Sequence, residues 1–354
     1  MLERNQVERY LEIIQKLKKS YTLIDMHVHP FDVMFNDFNY INNSQCDGIY
    51  SANANNYVSP DIGQLKISQL SDTGTQSLNS ELRAKMAMLT SRRLYAHTGP
   101  KLFRDHMRLS GIDKTLLLPV VSADESDNEQ IKMLAHMFGD DERFALGYCI
   151  PNCIDNDEIG NVVKVASQDY NIKAIKIHPN ITGIDIFSSS GKERIEFMLK
   201  ASRDTKLPVI IHGGRSSGLR NPEATEYSTL TNLQHIDWSI TNQAVVVAHA
   251  GTYGYDLSQI TEEILPLMSK LLSQYSNLFV DISGLTFEEI SAILRNIDTD
   301  RILFGSDALY NSQWGALVKL FYALQKSISD YEEVFLKIVS HNPSRLIMQD
   351  SELN

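Results

Sequence analysis

Eight short apolar runs rich in Val, Ile and Leu punctuate the chain, at residues 22 to 28, 114 to 120, 143 to 150, 172 to 178, 207 to 212, 244 to 249, 277 to 282 and 301 to 306. Between the later runs, stretches near 191 to 205, 228 to 242, 257 to 275, 286 to 297 and 312 to 327 carry apolar residues at helical spacing. Continuous apolar strands joined by helical crossovers imply a parallel sheet covered on its outer face. Eight such units within 354 residues predict a closed (β/α)8 TIM barrel, an α/β fold, rather than an open doubly wound sheet. Ahead of the first strand, Val7, Tyr10, Leu11, Ile14 and Leu17 fall at helical spacing among charges. They predict an N-terminal amphipathic helix that covers something apolar. One stretch breaks the rhythm. Residues 31 to 111, between the first and second strands, are Asn-rich and polar and then helical in pattern, too long for a plain crossover. A long insertion in a compact domain is expected to be a binding element or lid. The whole chain, 1 to 354, is expected to be one barrel domain with this lid-like segment over its mouth.

Composition narrows the partners more than the fold. The chain is 43% hydrophobic and 22% charged, ordinary for a globular protein, and its formal net charge of -11 argues against nucleic acid or an anionic membrane surface as partner. No run approaches the roughly 20 apolar residues of a membrane span. The N-terminal Met-Leu-Glu-Arg-Asn-Gln carries mixed charge without an apolar segment, so neither a secretory signal nor a transit peptide is read there. Cys46, Cys149 and Cys153 form neither a disulfide framework nor a paired zinc motif. An odd, small count fits a reducing compartment, and a cytoplasmic location is expected. With no P-loop, dinucleotide fingerprint or His-Glu-x-x-His helix, nucleotide cofactors are not expected. The expected partner is a small-molecule substrate, and a homo-oligomer is left open.

The polar residues that interrupt the apolar runs carry the chemistry. His27 and His29 alternate with apolar residues at the end of the first run, and the side-chain period of two puts both imidazoles on one face. Lys176 and His178 share a face at the end of the fourth run, His212 ends the fifth, His249 the sixth, and Asp307 follows the eighth. In a parallel barrel the C-terminal strand ends converge on one mouth, so groups spread over some 280 residues of sequence are brought together. A lysine inside a barrel is costly unless it is paired or chemically used, and Asp25 or Asp281 could pair with Lys176.

The His-x-His of the first strand, Val-Ile-Ile-His-Gly-Gly around His212, Val-Val-Val-Ala-His-Ala-Gly around His249 and Ile-Leu-Phe-Gly-Ser-Asp ending at Asp307 resemble the amidohydrolase superfamily. More narrowly, they resemble the amidohydrolase-related branch that holds metal-dependent hydrolases and decarboxylases. The resemblance spans about Leu23 to Arg345 and includes Asn342-Pro-Ser-Arg-Leu-Ile. It implies a barrel holding a divalent cation, most often zinc, with His27, His29, His212 and Asp307 as ligands and His249 as the acid-base histidine. One metal is the first expectation; in a two-metal variant His212 and His249 would hold the second ion.

That implied ligand set leaves a position for water, whose pKa a zinc ion lowers from 15.7 to about 7. Asp307 would ligate and accept the water's proton, making it catalytic together with His249. Arg215, Lys176 and His178 are candidates to hold a substrate carboxylate. The leading expectation is a metal-dependent hydrolase of an amide, ester or lactone. The alternatives are a decarboxylase acting on an unsaturated carboxylic acid and a catalytically silent metal-binding scaffold. Gly214-Arg-Ser-Ser-Gly218 also fits a serine nucleophile elbow, but Gly218 and Pro222 would break the helix such an elbow needs.

Overall fold

The computed structural model describes residues 4–29, 103, 104, 107, 108, 110–126, 128–216, 219, 221–308 and 311–347. Eight strands form one parallel sheet in sequence order: β1 (Ile24–Val28), β2 (Lys114–Leu117), β3 (Phe144–Cys149), β4 (Ala174–Ile177), β5 (Val209–Ile211), β6 (Val245–Val247), β7 (Leu278–Asp281) and β8 (Ile302–Leu303). All seven neighbouring pairs are parallel. The last strand returns to the first: Met26 N donates to Phe304 O at 2.9 Å, Asp307 N to His27 O at 2.9 Å and His29 N to Ala308 O at 2.6 Å. These bonds close the (β/α)8 barrel and bring the two chemically richest strand ends side by side.

The helices that cover the sheet follow from their apolar faces and caps. They include α1 (Arg4–Leu17), α2 (Glu129–Phe138), α3 (Ile159–Tyr170), α4 (Ser189–Thr205), α5 (Leu265–Gln274), α6 (Phe287–Asn296), α7 (Gln313–Ser327) and α8 (Asn342–Ile347). Asn128 caps α2, and Thr286 with Glu289 forms a reciprocal capping box on α6, which satisfies backbone donors the first turn leaves open. The amphipathic α1 buries Val7, Tyr10 and Ile14, and the Tyr10 hydroxyl donates to Gln325 Oε1 of α7 at 2.6 Å.

Two expected helices come out differently. Residues 228 to 242 hold two short turns, Leu230–Leu233 and Trp238–Ile240, because the Asp237 side chain accepts from Ser239 N and starts a new turn around buried Trp238. Residues 257 to 275 contain a π turn, Ile260–Ile264, that ends two residues before Pro266. A proline ring clashes with the carbonyl four residues back, and the wider turn relieves that clash. The insertion expected over 31 to 111 lies almost wholly outside the described residues. Of its closing residues, Phe103 packs on Phe138 and Phe144, and Arg104 pairs with Asp141 at 3.0 Å.

Ala174 and Ile210, each two residues before a polar strand-end residue, belong to a compact apolar cluster with Leu116, Val246 and Leu303. Period two therefore places Lys176 and His212 one layer further along the same face. No described helix is long and apolar enough to cross a membrane.

Candidate active site

Six of the eight strand ends, β1 and β4 to β8, deliver polar side chains to a buried cluster. His27 is wholly inaccessible, and His29, His212, His249 and Asp307 are buried. The Nδ1 of His29 lies 3.0 Å from the Leu118 carbonyl oxygen, which can only accept, so that nitrogen carries the proton. The Nδ1 of His27 lies 2.8 Å from Asp281 Oδ2. Asp281 is fully buried; burial opposes its charge, but His27, His249 and Ser283 outweigh that and hold its carboxyl well below the usual carboxylate range. His27 therefore also carries its proton on Nδ1. Burial is the largest cause holding both imidazoles below their ordinary pKa, with the Lys176 ammonium adding to it. In these neutral tautomers each Nε2 presents a lone pair, and the two Nε2 atoms face each other 3.1 Å apart.

Asp307 completes this arrangement, with Oδ1 at 3.6 Å from His29 Nε2. Ligand atoms of His27, His29 and Asp307 all lie within 4.8 Å of one another, so these three could hold a metal ion. Burial pushes the Asp307 carboxyl up to about 8, against the opposing pull of Lys176. A buried carboxyl group beside two imidazole lone pairs is, once ionised, a donor set that a divalent cation satisfies. The histidine partners behind it, Asp281 and the Leu118 carbonyl, fix ring orientation as outer partners of metal-bound histidines do.

Backbone geometry is unusual at the same places. Asp307 has φ 61° and His249 φ 55°, left-handed conformations that non-glycine residues adopt only where surroundings impose them. Gly305 is required by close approach, since a Cβ there would lie 2.6 Å from the His27 Cβ.

His249 is held by the far end of β7. Its backbone N donates to Asp281 Oδ1 at 2.9 Å, and its Nδ1 donates to the Ser283 carbonyl at 2.8 Å. Nε2 is left as an acceptor. Burial and the neighbouring His27 depress its pKa to about 3. The His249 ring lies 5.2 Å from that of His27, 5.0 Å from His212 and 4.9 Å from Tyr253, between centroids.

The model for the family described as amidohydrolase matches residues 24–347. The chain belongs to the amidohydrolase family. Solved structures agree on the fold. An uncharacterised TIM-barrel protein from Bordetella bronchiseptica is 17% identical, with 93% of this chain and 99% of that one covered and a TM-score of 0.54. The 5-carboxyvanillate decarboxylase of Sphingomonas paucimobilis is 15% identical, with 93% and 99% covered and a TM-score of 0.51. A candidate 2-pyrone-4,6-dicarboxylic acid hydrolase from Acinetobacter baumannii is 14% identical, with 92% and 99% covered and a TM-score of 0.51. At such identities the likeness establishes the fold alone. Comparison with curated proteins finds no match.

Within this amidohydrolase barrel the remaining candidate residues are placed unequally. His212 stands beside the three-residue group but outside it; its Nε2 is engaged by Ser216 Oγ at 3.0 Å and its ring stacks on His178, 4.0 Å between centroids at 9°. His178 accepts from Ile181 N through Nδ1 at 3.4 Å, which leaves the proton on Nε2 as a donor. Lys176 reaches His27 Nε2 at 3.2 Å, and burial pushes its pKa down to about 8. Asp25, one of its two expected partners, bonds instead to Ser306 and Gln313. Arg215 pairs with Glu226 at 2.8 Å and lies over the Tyr255 ring at 4.2 Å. After Ser216 the next described helical turn is Pro222–Glu226, so among the described residues no nucleophile-elbow helix follows this serine.

Ser283 and Tyr253 are site residues that the sequence did not mark, and Asp281, expected only as a possible partner of Lys176, stands behind His27. Asp281 had a visible signal, a carboxylate closing the apolar run Leu278-Phe-Val-Asp. Ser283 and Tyr253 sit in loops without periodicity, and no pattern marks them.

Proposed function

We propose that this chain is a metal-dependent hydrolase that cleaves an amide, ester or lactone in a small, carboxylate-bearing substrate. The observation that carries the reading is the pair of Nε2 lone pairs of His27 and His29, facing each other at 3.1 Å beside the carboxylate of Asp307. Those residues would hold one divalent ion, Zn2+ by the chemistry of the donors, and His212 would join them once Ser216 releases its Nε2. When bound, such an ion supplies Lewis acidity, polarising a carbonyl and acidifying water.

The rest is done by the chain. His249, whose Nδ1 is fixed by the Ser283 carbonyl, offers Nε2 as the acceptor that would take a proton first and return it to the leaving group afterwards. That sequence suits hydrolysis. Asp307 assists by accepting the proton of the attacking water. Lys176 and the Nε2–H of His178 are donors for a substrate carboxylate. Arg215 serves that role only by leaving Glu226.

The test is a substrate panel. Zn2+-loaded protein is expected to hydrolyse at least one class among carboxylate-bearing amides, esters and lactones, to lose activity with chelator and to regain it with Zn2+. His249→Asn is expected to lower kcat by about 10²-fold or more with metal content unchanged. Release of carbon dioxide from unsaturated acids without any hydrolysis would make the protein a decarboxylase. Inertness of the metal-loaded protein across the panel would leave the scaffold reading.

A further inference from the structure

Asp25 has no accessible surface, and its carboxylate accepts four hydrogen bonds. Oδ1 accepts from Ser306 N at 2.9 Å and His27 N at 3.3 Å; Oδ2 accepts from Ser306 Oγ at 2.6 Å and Gln313 Nε2 at 2.9 Å. Three of the four donors thus come from the segment that follows β8. Ser306 Oγ in turn accepts from Ala308 N at 3.0 Å, so the hydroxyl spans the residue between them, Asp307. The same turn is tied to β1 by its backbone, through Asp307 N to His27 O and His29 N to Ala308 O. Asp307 itself is held at φ 61°.

A left-handed aspartate persists only where its surroundings over-determine it. Beside the backbone bonds to β1, the surroundings include one carboxylate on β1 and one hydroxyl after β8. We propose that Asp25 is a positioning residue: by clamping Ser306 it fixes the turn that aims Asp307 at the imidazoles of His27 and His29. The inference rests on the metal-site reading above. Asp25 touches no proposed ligand atom and acts through Ser306, Gln313 and the backbone of His27.

The test uses full-length protein loaded with Co2+, whose visible absorption reports coordination geometry independently of turnover. Asp25→Ala is expected to weaken Co2+ binding by about ten- to hundredfold, the usual cost of losing an outer partner, and to change the absorption spectrum. Ser306→Ala keeps the Ser306 N bond and should act in the same direction, more weakly. Asp25→Asn should recover most of the affinity and spectrum, because Gln313 can turn its buried Oε1, which has no partner among the described residues, toward the new amide nitrogen. Folded Asp25→Ala and Ser306→Ala proteins with wild-type affinity and spectrum would overturn the proposal while leaving the metal site standing. Should Asp25→Ala fail to fold, Ser306→Ala and Asp25→Asn decide by the same readouts. Wild-type protein that binds no Co2+, or binds it no better than His29→Ala, would refute the metal site and the positioning role with it.

Discussion

Five buried imidazoles meet at the barrel mouth, and burial is the largest cause holding each of His27, His29, His178, His212 and His249 below its ordinary pKa. Neutral rings are competent ligands and bases, and their outer nitrogens decide which role each can take. The ligand candidates were legible because period two on a strand is a local property, visible in His-Val-His. Their partners were not: Asp281 and Ser283 meet His27 across 254 and 256 positions, a relation only the folded chain expresses. With its carboxyl pushed up to about 8, Asp307 is protonated near neutral pH and must ionise to ligate. Zn2+ binding at about pH 6.5 is therefore expected to release about one proton, and the release should shrink as pH rises past the carboxyl's pKa. Calorimetry in buffers of different ionisation enthalpy reads this directly. Release that is absent at the lower pH, or that survives Asp307→Asn, would show that another group carries it.

At the scale of elements, all eight strands were legible, because a buried parallel strand is a run of apolar residues whose signal needs no tertiary context. Helices were less so. The pattern over 228 to 242 reads as one helix, yet Asp237 offers its carboxylate to the backbone and splits it. Capping of this kind competes with helix continuation on equal terms, and hydrophobic spacing cannot see it. The N-terminal helix behaves as its spacing foretold. Ile14 is fully buried, whereas Glu12 is exposed on the opposite side. Ile14→Ala is expected to destabilise the protein by about 2–5 kcal/mol. Glu12→Ala should stay within about 0.5 kcal/mol, both read by urea unfolding. Equal, small effects would mean that α1 contributes little to the fold.

For the whole molecule, closure of the sheet is what turns scattered residues into a site. Backbone hydrogen bonds from the β8 end to β1 set Asp307 against His27 and His29, residues some 280 positions apart. Family membership over residues 24–347 and a parallel eight-stranded barrel are consistent with that placement. The proposed function requires the barrel mouth to bind a divalent ion through these three residues. Anomalous diffraction at the zinc edge, on crystals of Zn2+-loaded protein, tests it most directly. One strong peak is expected within bonding distance of His27 Nε2, His29 Nε2 and an Asp307 oxygen. Clear density for those side chains with no peak between them would contradict it.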